Sequence, residues 1–370
     1  MAVKKLFAPI GLVGICVLIA LTGLVWIGCS SDPVSTNGPI GVQTASKVVP
    51  DQAAEIAVVM SVQNRHAMSL EAIDGVVGTA TGRDEQGRPA VLVLTERPGV
   101  AGIPRELDGT PVRVLHVGTP SLFPKPPGAG GGNGGGGGGG GGAPKLTKRD
   151  DRPVNIGYSI GNYTECAAGT FGCVVNKGGN MYILSNNHVL ARQNAGQIGE
   201  LIGQPGLYDN KPMCSGYYAD SIGRLAEFVE VQTGANANNT VDCAIALTSA
   251  DFVDCATDPY FYGLPNSTPV DPELDMAVQK VGRNGHSEGT LIGINATVTL
   301  TYAGATTRFV DQILTTNKFS QSGDSGSLIV TNDANVNPVG LLFAGTNDGY
   351  TWGNKITNVL SALNVTICGD

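Results

Sequence analysis

A chain of 370 residues with a formal net charge of −8 and a pI near 5.0 lacks the basic footprint of a nucleic-acid binder. Its hydrophobic fraction of 42% is enough for a packed core and excludes disorder throughout, and its length fits about two domains. Only 15% of residues are charged and 53 are glycine, a composition common in secreted, β-rich proteins.

Lys4 and Lys5 precede an uncharged run from Leu6 to Gly28. That run is long enough to span a bilayer and long for a secretory signal, and the paired lysines favour a cytoplasmic amino terminus. It ends in Trp26-Ile27-Gly28-Cys29-Ser30, which resembles a bacterial lipoprotein signal with Cys29 as the lipidated residue, although Trp26 stands where that signal normally has leucine. Residues 1–29 are therefore expected to be a lipoprotein-type signal or a membrane anchor, with an ordinary cleaved signal as the third option. All three place the remainder in the cell envelope, facing the periplasm or exterior, or in the medium.

Residues 30–47 read as a polar spacer. Pro50-Asp51 then marks a helix start with Asp51 as its cap, followed by an apolar side at Ala54, Ile56, Ala57, Val59 and Met60. Strands are expected at 76–81, 90–94 and 112–117, separated by the turns Asp84-Glu85-Gln86-Gly87 and Asp108-Gly109. Residues 48–120 thus form a small α+β domain. His66 and His116 have no metal-ligand spacing and read as scattered histidines. Residues 121–152 are a Pro/Gly-rich linker whose glycine tract, 130–142 with Asn133 inserted, cannot bury apolar surface. Its basic end, Lys145 to Arg149, reads as solubility or as a cleavage site.

From residue 153 onward short apolar runs alternate with Gly, Asn and Asp. Strands are expected at 171–175, 181–184, 225–231, 244–247, 277–281, 289–294, 296–302, 312–315, 327–330 and 339–343. Ile356, Val359, Leu360 and Leu363 give a carboxy-terminal helix one apolar face.

Three local texts carry chemistry. Ser185-Asn186-Asn187-His188-Val189 brings a histidine to the end of a strand. Val241-Asp242-Cys243-Ala244 sets an acid at the mouth of an apolar strand, where a carboxylate is costly to bury without a hydrogen-bond partner. Gly323-Asp324-Ser325-Gly326 offers a hydroxyl between glycines that permit a tight turn. A serine hydroxyl needs a base and oxyanion donors to act as a nucleophile, and the base needs an orienting acid.

The order His188, Asp242, Ser325, together with Val281-Gly282-Arg283 and Val339-Gly340-Leu341-Leu342-Phe343-Ala344-Gly345, resembles the chymotrypsin-like serine peptidases, in a bacterial branch with S-N-N-H-V. The resemblance covers residues from about 155 to the carboxy terminus. It implies two antiparallel six-stranded β-barrels with the site between them. His188, Asp242 and Ser325 would be catalytic, and the amides of Gly323 and Ser325 would form the oxyanion hole. Phe343, Ala344 and Gly345 would border the groove and pair with an extended peptide. Phe319, six residues before the serine, would sit at the base of the primary pocket and gives no basis for selecting Lys or Arg, while Asp348 could reach that pocket. Asp324 has no evident freed amino terminus to pair with. His286 reads as a solvated loop residue in preference to a substrate selector.

Cys166, Cys173, Cys214, Cys243, Cys255 and Cys368 lie in this domain, and export makes disulfides plausible. Six cysteines allow 15 pairings; Cys166 with Cys173 is the local expectation. No metal or cofactor is expected. The expected partners are a protein or peptide substrate, the membrane through the amino-terminal segment, and an intramolecular contact between the two domains, with no nucleic acid. The function expected is a membrane-tethered serine endopeptidase. The alternative is a peptidase-fold binding or scaffolding protein whose site is idle or self-inhibited.

Overall fold

The structure is a computed structural model that describes residues 50–122, 143–216, 218–316 and 318–369. The leader, Cys16, Cys29, the spacer and the glycine tract lie outside the described residues. Helix α1 (Pro50–Glu71) begins one residue before the Asp51 expected to cap it. It has no internal glycine or proline, and its Val59, Val62 and Leu70 pack on Val76, Val91 and Val93. Those valines come from strands β1 (Val76–Arg83) and β2 (Pro89–Thr95), which form a hairpin. Asp84 closes its turn by accepting the Gln86 and Arg88 amides, each at 2.9 Å. Strand β3 (Thr110–His116) adds in parallel to β2.

The small domain does not stand apart. β1 pairs antiparallel with a long strand of the second domain at Thr81↔Ile294. A Cβ at Gly78 would lie 2.1 Å from the Thr297 carbonyl oxygen, so this close backbone approach requires glycine. A polar seam lies beneath: Gln63 Nε2 donates to the Asn295 carbonyl at 2.8 Å, the Thr79 amide to Thr297 Oγ1 at 2.8 Å, and Arg308 Nε to Glu71 Oε2 at 2.6 Å. The Arg308–Glu71 pair is buried, so breaking it would strand a charge out of water.

Beyond β3 the chain forms a two-residue strand, β4 (Ser121–Leu122), within what reads as linker. The described chain resumes at residue 143, and Leu146 is already buried in the core of the second domain. The packed structure therefore reaches into both ends of the expected linker.

The second domain is mainly β. Its first sheet is eight-stranded and includes β5 (Cys173–Lys177), β6 (Asn180–Ser185), β7 (Ser221–Phe228) and β8 (Ala244–Thr248). A second, larger sheet includes β9 (Ala277–Gly282), β10 (Gly285–Tyr302), β11 (Ala305–Thr315), β12 (Leu328–Thr331), β13 (Pro338–Gly345) and β14 (Thr351–Lys355). With the small domain's strands it becomes twelve-stranded among the described residues. The hydrogen-bonded sheets therefore do not divide into two separate sets of six. Strands expected at 289–294 and 296–302 are one strand, β10, with register shifts around Asn295. The helix expected at the carboxy terminus, α2 (Ile356–Leu363), turns Ile356, Val359 and Leu363 into the core.

The local cysteine expectation is corrected. Cys166 pairs with Cys214 and Cys255 with Cys368, while Cys173 and Cys243 are free and buried. Cys173 lies in strand β5 with its thiol in the core, so proximity in sequence did not bring it to Cys166. Two disulfides suggest an extracytoplasmic protein. No described helix is long and apolar enough to cross a membrane.

Candidate active site

β6 ends at Ser185 and the chain turns at once into a single helical turn, Asn187–Leu190, which carries His188. Asp242 lies just before β8, the strand that pairs with β6. That pairing brings the two side chains together. The His188 Nδ1–H donates to Asp242 Oδ2, and the His188 amide donates to Asp242 Oδ1 at 3.1 Å. Both side chains are 0% exposed. With Nδ1 as donor, Nε2 carries the lone pair, and it is buried with no hydrogen-bond partner.

Amides brace the acid from behind. Asn354 Oδ1 accepts the Asp242 N–H at 2.9 Å, and Asn354 Nδ2 donates to Gln312 Oε1 at 2.7 Å. Asn186 Nδ2 donates to the Asp242 carbonyl at 2.8 Å. These bonds hold the Asp242 backbone in place, while the His188 ring and amide supply the donors that make its buried carboxylate tolerable. Next to it, burial first and the Asp242 charge second push the Cys243 thiol well above its ordinary range. It is therefore held as the thiol and is a poor nucleophile. Burial pushes the Cys173 thiol up to about 12.

Ser325 comes from the loop ahead of β12 in the other sheet. Gly323 and Gly326 both have left-handed φ, +97° and +94°. A Cβ at Gly326 would lie 2.1 Å from Ser185 Oγ, so the serine loop is pressed against the end of the histidine strand. Gly169 is wedged between the Val189 side chain and the Ser325 carbonyl, which keeps the same two segments adjacent. The Ser325 carbonyl accepts the Thr170 amide at 2.8 Å, while its Oγ donates to the Phe343 carbonyl at 3.5 Å. Among the described residues the amides of Gly323 and Ser325 have no acceptor.

Asp324 has a partner that sequence reading missed. Lys280, in β9, meets it at 2.8 Å with the two side chains 2% and 1% exposed. The same carboxylate accepts the Gln321 amide at 2.9 Å and the Asn284 amide at 3.0 Å. Both oxygens are thus tied, one to Lys280 and Gln321, the other to Asn284, and the loop that presents Ser325 is fixed from both sides. A lysine at an inward position between Val278 and Gly282 was the available signal.

Phe343, Ala344 and Gly345 end β13. Ala344 pairs with Leu122 and Gly345 with Ser121, antiparallel, so β4 of the small domain lies along this strand. Phe319 is buried in an apolar cluster with Val278, Leu291, Ile313 and Leu342. Its amide donates to the Gly349 carbonyl at 3.2 Å. His286 faces Gln279 at 3.1 Å, in contact with Phe261 rather than with Ser325 or His188.

No family model and no curated protein matches the chain. Among solved structures it is similar to a glutamic acid-specific serine protease at 19% identity, over 58% of this chain and 100% of that one, with a TM-score of 0.41. Protease A of Thermobifida fusca matches at 18% identity over 59% of this chain and 99% of that one, TM-score 0.41. A Cellulomonas bogoriensis chymotrypsin matches at 18% identity over 59% and 99%, TM-score 0.40. The chain is thus similar to serine proteases. At these identities no residue role carries over, and the site rests on its own geometry.

Proposed function

We propose that the chain is an exported serine endopeptidase acting through an acyl-enzyme. The observation that carries this reading is the buried Asp242–His188 contact, which leaves His188 Nε2 unpartnered, in a segment whose neighbours Ser185 and Val189 pack against the stretch holding Ser325. Ser325 Oγ turns from the Phe343 carbonyl and attacks the scissile carbonyl carbon while His188 Nε2 takes its proton. Asp242 holds the Nδ1–H and stabilises the imidazolium. The developing oxyanion is met by the amides of Gly323 and Ser325, which are free to donate. His188 then passes the proton to the leaving amine, and water, activated by the same ring, hydrolyses the acyl-serine. A p-nitrophenyl ester should give a burst of one nitrophenolate per chain, lost in Ser325→Ala. Turnover without a burst and unaffected by Ser325→Ala would contradict the reading.

A second reading concerns regulation, and one pairing favours it. The groove strand is already occupied, at Ala344 and Gly345, by Leu122 and Ser121. We propose that the small domain holds the site self-inhibited, with β4 in the place of an extended substrate. The lower seam, Arg308–Glu71 and its neighbours, keeps that domain docked while β4 exchanges.

Phe319 is proposed as the floor of the primary pocket through its backbone, since its ring faces the core. Cys29 is proposed as a lipidated first residue that tethers the enzyme. The mass of the mature amino terminus checks this, with an unmodified Cys29 or an uncleaved leader as the contrary results.

A further inference from the structure

The Asp242 carboxylate has a third donor besides the ring and the amide of His188. Tyr302 is the last residue of β10, and its hydroxyl lies 3.4 Å from Asp242 Oδ1. Asp242 lies just ahead of β8 of the first sheet and Tyr302 ends a strand of the second, so this contact joins the segments of the two sheets between which the site is built. Tyr302 and Asp242 are both fully buried. The ring is fixed by Phe309, at 6.1 Å between centroids, and Phe309 in turn packs on Phe343 at 4.8 Å.

The hairpin that carries it is tied down as well. Tyr302 pairs with Ala305, and the turn amide of Ala303 donates to Gln193 Oε1 at 2.6 Å, on the segment that follows His188. Burial first, and the Asp242 charge second, push the Tyr302 phenol well above its ordinary range, so the hydroxyl is protonated and can only donate to a carboxylate. Phe343, on the groove strand nearby, carries no hydroxyl that could serve instead.

We propose that Tyr302 is a positioning residue for catalysis: by donating to Asp242 Oδ1 it fixes the carboxylate so that Oδ2 faces the His188 ring. The inference rests on the peptidase reading, because it acts only through Asp242 and His188. Without this donor, Oδ1 keeps only the His188 amide, and the carboxylate is freer to rotate about its Cβ–Cγ bond. A carboxylate short of one donor also holds the imidazolium proton more firmly.

The test is the second-order rate of fluorophosphonate labelling of the full chain across pH, comparing wild type with Tyr302→Phe. That variant keeps the ring and its packing and removes only the hydroxyl. The groups that face the pair are His188 and Asp242 themselves, the Cys243 thiol, and Glu165, which interacts electrostatically with His188. Glu165 and Cys243 are the same in both proteins. The limiting rate should fall about tenfold, the size expected for a hydrogen bond to a charged group. Its pH midpoint should move upward, with the melting temperature little changed. In an Asp242→Asn background the same substitution should have no further effect, because the carboxylate through which it acts is gone.

A wild-type rate and midpoint in Tyr302→Phe would overturn the inference. So would a rate loss with an unmoved midpoint and a lowered melting temperature, which is the pattern of packing alone. If neither the wild type nor a Leu122→Asp variant, in which the β4 pairing on Ala344 is lost, is ever labelled, the peptidase reading has failed and Tyr302 has no catalytic pair to position.

Discussion

Lys280→Met should cost about 3–5 kcal/mol of stability, because it leaves the Asp324 carboxylate charged and unpaired in the core. Labelling of Ser325 should fall with it, by about a hundredfold, the size of losing an oxyanion donor. The chain of cause is short. Asp324 sits between Gly323 and Ser325, whose amides are the proposed donors, and its carboxylate is tied to Lys280, Gln321 and Asn284. Released from Lys280, that carboxylate turns towards water and takes the peptide planes of the loop with it. Lys280→Arg keeps the charge but not the fit, and should fall between wild type and Lys280→Met. The double variant Lys280→Met, Asp324→Asn removes both charges. It should regain most of the lost stability without regaining the labelling rate, since replacing both members of a buried pair is far cheaper than replacing one. Chemical denaturation and labelling on the same samples check this. Wild-type labelling in Lys280→Met would show that the pair does not set the loop.

Leu122→Asp should raise the labelling rate of the full chain, by about tenfold for each 1.4 kcal/mol lost from β4 pairing. Leu122 packs on the cluster that contains Phe343, Ala344 and Trp352. A carboxylate there would be partly desolvated against apolar side chains without a partner, so β4 is expected to leave the groove strand. The remainder of the small domain stays docked, because Thr81↔Ile294 and the buried Glu71–Arg308 pair lie elsewhere. Ser121 is exposed, so Ser121→Asp is the matched control and should change little. Unchanged labelling in Leu122→Asp, with an intact fold by circular dichroism, would remove the case for self-inhibition.

The parts of this architecture that could be read from sequence are those written in consecutive residues. The apolar positions of α2 and the short apolar runs at β1, β2, β9 and β13 each signal their own element. The three proposed site residues stand out in the sequence for the same reason, since each lies within a short motif next to a strand, and the structure brings two of them, His188 and Asp242, into contact. What was missed is set by distant partners. Gly234–Asn239 forms a strand despite having no apolar alternation, because it adds in parallel to β11 at the sheet's edge. Asn295 looked like a break between two strands, yet its left-handed φ of 50° marks an irregularity within one. Cys166 found its partner 48 residues away rather than seven, because the fold and not the spacing brings thiols together. Lys280 and Tyr302 look like an ordinary strand lysine and an ordinary core tyrosine until the second sheet places them against Asp324 and Asp242.

The most direct measurement is mapping the fluorophosphonate adduct by peptide mass spectrometry on the folded full chain, with Leu122→Asp and Ser325→Ala alongside. A single adduct on Ser325, faster in Leu122→Asp and absent in Ser325→Ala, is the result predicted. No adduct in either the wild type or Leu122→Asp, or an adduct that survives Ser325→Ala, would contradict the claim that Ser325 is the nucleophile of a working peptidase.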